Sequence, residues 1–160
     1  MGDSKRKVLM VCLGNICRSP IAEAVLQDAV SKAGVASEWE VDSAAIGGWH
    51  VGKSPDHRAL KTMSNHGLPY SNKARQITKR DFEEFDYIFG MDKENIKDLS
   101  DLKPSNAKAK ILLLGDFDPK GERIIRDPYY DSGSEGFEKC FQQCSRMCPE
   151  FFSRARAGDI

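Results

Sequence analysis

The chain has 160 residues, a length typical of one domain with a substantial core. Its 24 basic and 24 acidic residues cancel, so the composition does not favour binding to nucleic acid or to a membrane surface. No segment approaches the length of a membrane helix, and residues 1–7 are polar and basic, unlike a signal peptide. We therefore expect a cytoplasmic protein with a single domain over residues 1–160, residues 1–6 forming a flexible tail, and a monomer that self-associates weakly at most.

The first predicted element is a buried strand that ends at a cysteine. Val8-Leu9-Met10-Val11 is a continuous apolar run of the kind found in parallel sheets. The loop Cys12-Leu13-Gly14-Asn15-Ile16-Cys17-Arg18-Ser19 follows it. Ser19 is the predicted N-cap of the next helix, Pro20 its first residue and Gly34 its C-terminal stop. The segment is therefore predicted to be strand, loop and helix.

This loop combines the features of a phosphate-binding pocket. Backbone N–H groups at a helix start carry partial positive charge and bind phosphate. Arg18 adds a planar guanidinium that matches two phosphate oxygens, and the same positive field favours the thiolate form of a cysteine such as Cys12. With ten Arg and sixteen Ser or Thr among 160 residues, five cysteines would produce Cys-x5-Arg-[Ser/Thr] by chance roughly 0.03 times.

A phosphate pocket that opens with a cysteine indicates transfer of a phosphoryl group to sulfur, followed by hydrolysis. Gly14 is expected to take backbone angles that other residues resist, and Asn15 to shape the loop through its amide or to accept a positive φ. Ser19 can hydrogen-bond the sulfur or cap the helix. The simpler alternative is that Cys12 is only a small buried residue; a nucleotide loop is disfavoured because no Gly-Lys-[Ser/Thr] follows.

The rest of the chain alternates predicted strands and helices. Further strands are predicted over residues 39–43, 87–89 and 111–114, and helices from residue 54 to about 67, from Thr78, over 93–99 and from 137 to about 156. Pro149 predicts a kink or break in the last helix near Cys148. The pattern predicts a doubly wound α/β fold, with a central parallel sheet of about four strands and helices on both faces. Cys12 stands at the carboxyl end of one strand, where ligands bind in such sheets.

The five cysteines are an odd number and favour free thiols over a disulfide scaffold. Cys140, Cys144 and Cys148 recur every four residues on one face of the last predicted helix, among phenylalanines. Core packing explains this face best; zinc binding is the alternative, although no nearby histidine or acidic cluster completes a ligand set. We expect neither a metal nor a cofactor.

A leaving phenolate needs a proton donor, and two aspartates are suitably placed before proline. Asp118 and Asp127 both precede a proline, which keeps the preceding residue out of the helical region and can aim it from a loop. Asp118 is followed by a surface-turn composition, and Asp127 by Tyr129 and Tyr130, whose rings could wall an aromatic pocket or simply pack half-buried. These residues alone do not decide between the two acids.

Taken together, these motifs resemble the low-molecular-weight protein tyrosine phosphatases, also known as acid phosphatases. The resemblance covers the chain from Lys7 to about Phe152. It rests on the loop with Pro20 and Ile21-Ala22-Glu23-Ala24, and on Asp42-Ser43-Ala44, Ala74-Arg75-Gln76-Ile77-Thr78, Phe85-Asp86-Tyr87-Ile88, Met91-Asp92 and Asp127-Pro128-Tyr129-Tyr130.

The resemblance implies a metal-free enzyme that acts on phosphotyrosine proteins and small aryl phosphates. Cys12 would be the nucleophile, Arg18 would bind phosphate and stabilise the transition state, and Asp127 would be the general acid and then the base. The remaining loop residues would bind phosphate; these are Leu13, Gly14, Asn15, Ile16, Cys17 and Ser19. Trp49, Tyr129 and Tyr130 would form the substrate pocket, together with Leu13. Ser43 and Asp92 would support the loop and Arg18.

The resemblance also implies a redox role for Cys17, which would capture an oxidised Cys12 as a reversible disulfide; simple packing of Cys17 is the alternative. The chain departs from the family pattern at Asn72, where many members carry histidine near Glu23, and at Arg126, which replaces an acid before Asp127.

Two other functions fit the same loop. An arsenate reductase on this scaffold would pass oxidation from Cys12 to further cysteines and would not need the Asp127 motif. A phosphoprotein-binding module without turnover would lack a nucleophile or an acid, and both are present in this sequence.

Overall fold

A computed structural model describes residues 5–160 and shows four parallel strands in the order β2-β1-β3-β4. The strands are β1 (Arg6–Cys12), β2 (Trp39–Ala45), β3 (Tyr87–Gly90) and β4 (Lys110–Leu113). The helices are α1 (Arg18–Lys32), α2 (His57–Asn65), α3 (Lys79–Glu84), α4 (Lys93–Leu102) and α5 (Glu135–Arg156). The predicted doubly wound α/β fold is confirmed. Within residues 5–160, no helix is long and apolar enough to cross a membrane.

From Val8 to Cys12, strand β1 is apolar because both of its faces are covered there. Val8 and Met10 belong to the core cluster formed with α1, α2 and α5, whereas Leu9 and Val11 belong to the cluster formed with α3 and α4. Successive side chains of a strand point to opposite faces, so a central strand between two helical layers has no polar position. The run Val8 to Val11 follows directly from this placement.

The chain places β2 on one side of β1 and then β3 on the other. The order of the strands therefore reverses beside β1, and such a switch point opens a crevice at the carboxyl ends of the strands. Cys12 aligns with Ala45 at the end of β2, and Val11 with Gly90 at the end of β3. Asp92 follows β3 at the same edge of the sheet.

Several predicted boundaries are wrong by one to three residues. Helix α1 begins at Arg18 with Cys17 as its N-cap, because the Ser19 hydroxyl is engaged with Cys12 and Asn15 instead of capping. Helix α2 begins at His57, after an N-cap at Asp56 whose carboxylate accepts from the Arg58 N–H. Arg6 is the first residue of β1 and so is not part of the predicted tail, while residues 1–4 of that tail lie outside the described residues.

Helix α5 continues past Pro149 without the predicted break. A proline removes one intrahelical hydrogen bond, which favours a kink or a break. Here the residues on both sides of it, Met147, Cys148, Phe151 and Phe152, are buried in the core, and their packing keeps the helix continuous.

Candidate active site

The loop at the end of β1, residues 12–19, is called here the phosphate loop. Its carbonyl groups point away from the centre: those of Cys12, Leu13 and Ile16 accept hydrogen bonds of 2.8–3.0 Å from the backbone of Ile46, Gly47 and Asp56. The N–H groups of residues 13–17 donate to no group within the described part of the chain. Loop donors left unpaired beside a helix start are an anion-binding arrangement.

Asn15 shapes the loop in both of the predicted ways. It has a positive φ of 58°, the only non-glycine residue among the described ones to do so. Its side-chain Oδ1 accepts from the backbone N–H of Arg75 (3.1 Å), and this contact fixes which end of the amide is oxygen. Its Nδ2 donates to the hydroxyls of Ser19 (2.8 Å) and Ser43 (2.9 Å). One buried amide thus connects three segments of the chain.

The Ser19 hydroxyl faces the sulfur of Cys12, with 3.1 Å between Oγ and Sγ. When the sulfur is a thiolate it has no hydrogen to give, so the hydroxyl is then the donor. The backbone N–H of Ser19 also donates to Cys12 Sγ, at 3.5 Å. Two donors therefore face the sulfur, an arrangement that stabilises negative charge on it.

A buried carboxylate, Glu23, anchors the far end of this network. Its Oε1 accepts from the hydroxyls of Ser43 and Tyr70, each at 2.6 Å. Its Oε2 accepts from the Asn72 amide at 2.7 Å. Asn72 therefore gives Glu23 a neutral hydrogen bond at the position where many members of the family carry histidine. Burial raises the pKa of Glu23 and the hydrogen bonds from Ser43, Tyr70 and Asn72 oppose that rise. Neither Glu23 nor Tyr70 was predicted to belong to the site from the sequence.

Arg18 is almost fully buried, with 2% of its surface exposed. Its Nη1 donates to Asp92 Oδ2 (2.5 Å) and to the carbonyl of Ile125 (2.9 Å). Among the described residues its Nε has no hydrogen-bond partner, although it is buried. A buried donor without a partner is costly, so the edge formed by Nε and Nη2, of which Nη2 lies 3.6 Å from Asp127 Oδ2, is suited to two oxygens of a bound phosphate.

Asp92 contacts both Arg18 and the start of α4. Its Oδ2 binds Arg18, and its Oδ1 accepts from the backbone N–H of Asn95 (2.8 Å) as the N-cap of α4. Since α4 fixes the carboxylate, the carboxylate in turn fixes the orientation of the guanidinium.

The structure separates the two candidate acids. Asp118 binds Arg146 through both oxygens at 2.9 Å, and these hydrogen bonds lower its pKa to about 2. It lies outside the cavity at the phosphate loop. Asp127 lines that cavity, and its Oδ2 is 3.6 Å from Arg18 Nη2. Of the two, only Asp127 is placed to transfer a proton in the cavity.

The phosphate loop forms the floor of a cavity of about 340 Å³. Side chains of the substrate pocket predicted from the resemblance wall it: Leu13, Trp49, Tyr129 and Tyr130. Trp49 is 67% exposed and Tyr130 is 89% exposed, which is unusual for rings that serve only the core. The rings of Tyr129 and Tyr130 meet edge to face at 4.9 Å. The walls are thus aromatic and open to a flat ligand.

His50 also lines the cavity and was not predicted. Its ring lies against Gly14, where a Cβ would approach the His50 Cδ2 to 2.9 Å, and is 5.9 Å from the Tyr129 ring. Gly14 is absent from the glycines with positive φ, so its predicted role in unusual backbone angles is wrong, and its missing Cβ instead leaves room for the His50 ring. The position of His50 next to Trp49 was the one sequence signal that could have identified it.

The cysteines behave as two groups. Cys140, Cys144 and Cys148 are buried in the core as predicted. Cys17 lines the cavity beside Cys12; burial is the first cause of its raised pKa, and the charges of Cys12 and Asp127 add to it. Within residues 5–160, no group of three His, Cys, Asp or Glu side chains is arranged to hold a metal ion.

Arg126 is directed away from the cavity. Its guanidinium binds both carboxylate oxygens of Asp131 (3.0 and 2.6 Å), and its Nη1 donates to the carbonyl of Asp127 (3.2 Å). Arg126 therefore contacts the loop behind Asp127 and does not line the cavity.

Comparisons with known proteins agree with this geometry. The family model described as low molecular weight phosphotyrosine protein phosphatase matches residues 7–158. The chain is 58% identical over 147 residues to low molecular weight phosphotyrosine protein phosphatase 1 of Drosophila melanogaster, covering 91% of this chain and 94% of that protein. Among solved structures, a protein tyrosine phosphatase from Entamoeba histolytica is similar with a TM-score of 0.93 and 34% identity, covering 98% of this chain and 100% of that one.

A further similar structure is that of a Drosophila arginine phosphatase, with a TM-score of 0.87 and 40% identity, covering 94% of this chain and 98% of that one. The family match spans nearly the whole chain and includes most of β1 and all of the phosphate loop. The chain belongs to the low molecular weight phosphotyrosine protein phosphatase family.

Proposed function

We propose that this protein hydrolyses phosphotyrosine and small aryl phosphates through a phosphocysteine formed on Cys12. One observation carries the proposal: Cys12 and Asp127 line one aromatic cavity, and Arg18, whose Nε has no partner among the described residues, lies 3.6 Å from the Asp127 carboxylate through its Nη2. A nucleophile, an anion clamp and a proton donor are the three components that transfer of a phosphoryl group from a phenol requires.

In the first step, the Cys12 thiolate attacks phosphorus and the bond from phosphorus to the phenolic oxygen breaks. Asp127 gives its proton to that oxygen, so the substrate leaves as a neutral phenol. Charge changes on the three equatorial oxygens of the phosphoryl group during this step. These oxygens are held by Nε and Nη2 of Arg18 and by the N–H groups of residues 13–17.

In the second step, Asp127 is a carboxylate and accepts a proton from water, which attacks phosphorus. The bond from phosphorus to sulfur breaks, and phosphate leaves with the oxygen of that water. The Ser19 hydroxyl and N–H groups stabilise the departing Cys12 thiolate, which restores the starting state.

The cavity walls favour an aromatic leaving group. Trp49, Tyr129 and Tyr130 present flat apolar surface around the entrance, at which a phenyl ring can stack. Because one similar structure is that of an arginine phosphatase, phosphoarginine is the substrate to compare. We expect a larger kcat/KM for a phosphotyrosine peptide than for the same peptide carrying phosphoarginine.

The experiment is hydrolysis of an aryl phosphate in the presence of a metal chelator, by the wild type, Cys12→Ser and Asp127→Ala. We expect the wild type to be insensitive to chelator and Cys12→Ser to be inactive while folded. Loss of a general acid costs roughly 10²- to 10⁴-fold, so Asp127→Ala should be slowed by that order. Activity that survives in Cys12→Ser, or that the chelator abolishes, would contradict the mechanism.

The alternative functions have weaker support. An arsenate reductase needs accessible thiols to receive oxidation, and Cys140, Cys144 and Cys148 are all buried in the core. A binding module without turnover would not need an acid beside the nucleophile, and Asp127 stands there.

Regulation and location belong to the same proposal. Cys17 beside Cys12 supports a reversible disulfide as protection against oxidants, and five free cysteines suit a reducing cytoplasm. We expect a single phosphatase domain that works as a monomer with weak self-association, without metal or cofactor.

A further inference from the structure

Arg58 on α2 uses its guanidinium to hold the segment that follows the general acid. We call residues 127–133 the acid loop. Nη1 of Arg58 donates to the carbonyls of Asp131 (2.6 Å) and Gly133 (3.1 Å), and Nη2 donates to the carbonyl of Tyr129 (2.9 Å). Three backbone groups within five residues are therefore fixed by one side chain.

The same arginine is itself held in place by the neighbouring Asp56. Nε and Nη2 of Arg58 donate to the Asp56 carboxylate at 3.0 and 2.9 Å, and these bonds are the first cause of the lowered pKa of Asp56. The guanidinium carbon also lies 4.5 Å from the centre of the Phe137 ring on α5. With its donors paired and its flat face covered, Arg58 has little freedom to move.

Asp56 connects this arrangement to the other half of the site. Its backbone N–H donates to the carbonyl of Ile16 in the phosphate loop at 2.8 Å. Asp56 and Arg58 therefore form a bridge: the first contacts the loop that carries the nucleophile, and the second contacts the loop that carries the acid. The distance between Cys12 and Asp127 depends on this bridge, because a loop without regular structure otherwise has considerable freedom.

We propose that Arg58 is a positioning residue for proton transfer. It sets the position of Asp127 relative to the substrate oxygen that leaves phosphorus when Cys12 attacks. The inference rests on the proposed function, in which Asp127 is the general acid. Proton transfer requires heavy atoms about 2.6–3.2 Å apart, so a shift of the acid loop slows the steps that need the proton. Steps that do not need a proton continue as before.

The dependence on leaving group tests this role. With 2,4-dinitrophenyl phosphate the leaving phenolate is stable without a proton, whereas with phenyl phosphate it is not. We expect Arg58→Ala to lower kcat/KM for phenyl phosphate roughly 10- to 100-fold, and for the dinitrophenyl ester less than about threefold. Asp127→Ala serves as the reference, and should show the same selectivity to a larger degree.

A matched control separates positioning from general loss of stability. Arg146 likewise holds a loop through Asp118 and Glu122, away from the cavity. Arg146→Ala should lower the melting temperature while leaving the ratio of the two kcat/KM values as in the wild type. Should Arg58→Ala fail to fold, Arg58→Lys keeps the charge but not the planar fork, and is expected to show the same selectivity in milder form.

The outcomes are distinct. Selective loss with phenyl phosphate in the Arg58 variants, and not in Arg146→Ala, supports the proposal. Equal loss with both esters in the Arg58 variants, beside selective loss in Asp127→Ala, overturns it and leaves the proposed function intact. Equal loss in Asp127→Ala as well overturns the assignment of the acid, and the role of Arg58 with it.

Discussion

Asp127 and Arg18 face each other across the mouth of the phosphate loop, with 3.6 Å between Oδ2 and Nη2. Asp92 holds Nη1 on the other side of the guanidinium, so the edge formed by Nε and Nη2 is the part left for a ligand. A phosphoryl group bound at this edge lies between the sulfur of Cys12 and the carboxylate of Asp127. The contact therefore joins the two halves of the active site.

The first prediction concerns Asp92, which both caps α4 and orients Arg18. Asn is as good an N-cap as Asp, so Asp92→Asn removes the charge while the helix cap is kept. Hydrogen bonds to charged groups contribute about 1.5–3 kcal/mol, and we expect kcat/KM to fall roughly 10- to 100-fold with little change in melting temperature. Steady-state kinetics and thermal unfolding check this. A lower melting temperature with unchanged kcat/KM would show that Asp92 is only a cap.

The second prediction concerns the hydroxyl of Ser43. Removing it in Ser43→Ala leaves an Asn15 hydrogen without its acceptor and Glu23 without one donor, which costs about 1–3 kcal/mol of the free energy of unfolding. We also expect a lower kcat, because Asn15 donates to the Ser19 hydroxyl, and that hydroxyl contacts Cys12. Asn72→Ala is the matched control, since Asn72 contacts Glu23 and not Asn15. Denaturant unfolding and kcat are measured on both variants, and we expect only Ser43→Ala to lower kcat. Equal kcat values for the two variants would contradict a role of the Ser43–Asn15–Ser19 contacts in catalysis.

The sequence predicted best what depends on neighbouring residues. The start of a helix at Thr78 and the buried run of β1 are local patterns, and both are confirmed. The loop around Cys12 was identified because all its parts lie within eight residues. Local patterns misplaced the start of α1, since the contact of the Ser19 hydroxyl with Cys12 depends on the folded loop.

Contacts between distant segments could not be predicted in the same way. Asp118 and Asp127 both precede a proline, and the partner that removes Asp118 from consideration, Arg146, lies on α5. The roles of Arg58 and Tyr70 also arise only when α2 and the segment after it pack against the site. Neither residue stands in a pattern that would reveal those contacts from the sequence.

The third prediction concerns oxidation. Peroxide converts the Cys12 thiolate to a sulfenic acid, and the Cys17 thiol displaces water from it to form a disulfide. The charge of Cys12 contributes to the raised pKa of Cys17, so loss of that charge on oxidation favours the attacking thiolate. Cys17→Ser should turn over substrate normally but recover less activity when thiol is added after peroxide. Recovery equal to that of the wild type would indicate that Cys17 only packs.

The fourth prediction concerns acid stability. Hydrogen bonds from Arg146 lower the pKa of Asp118 to about 2, below its ordinary value of about 4. The pairing therefore stabilises the folded protein fully above about pH 4, and this stabilisation is lost as the pH falls through about 2. We expect Asp118→Asn to be less stable by about 1–3 kcal/mol at neutral pH, and this difference to shrink between about pH 4 and pH 2. Denaturant unfolding over this range checks it; a difference independent of pH would contradict the pairing.

The most direct test of the mechanism is to trap the phosphocysteine. Asp127→Ala with 2,4-dinitrophenyl phosphate should form the intermediate readily, because the leaving group needs no acid, and hydrolyse it slowly, because water lacks its base. After a denaturing quench, mass spectrometry with fragmentation should locate one phosphoryl group on Cys12, with none in the double variant that also carries Cys12→Ser. A phosphoryl group on Cys17, or turnover without any phosphorylated enzyme, would contradict the account.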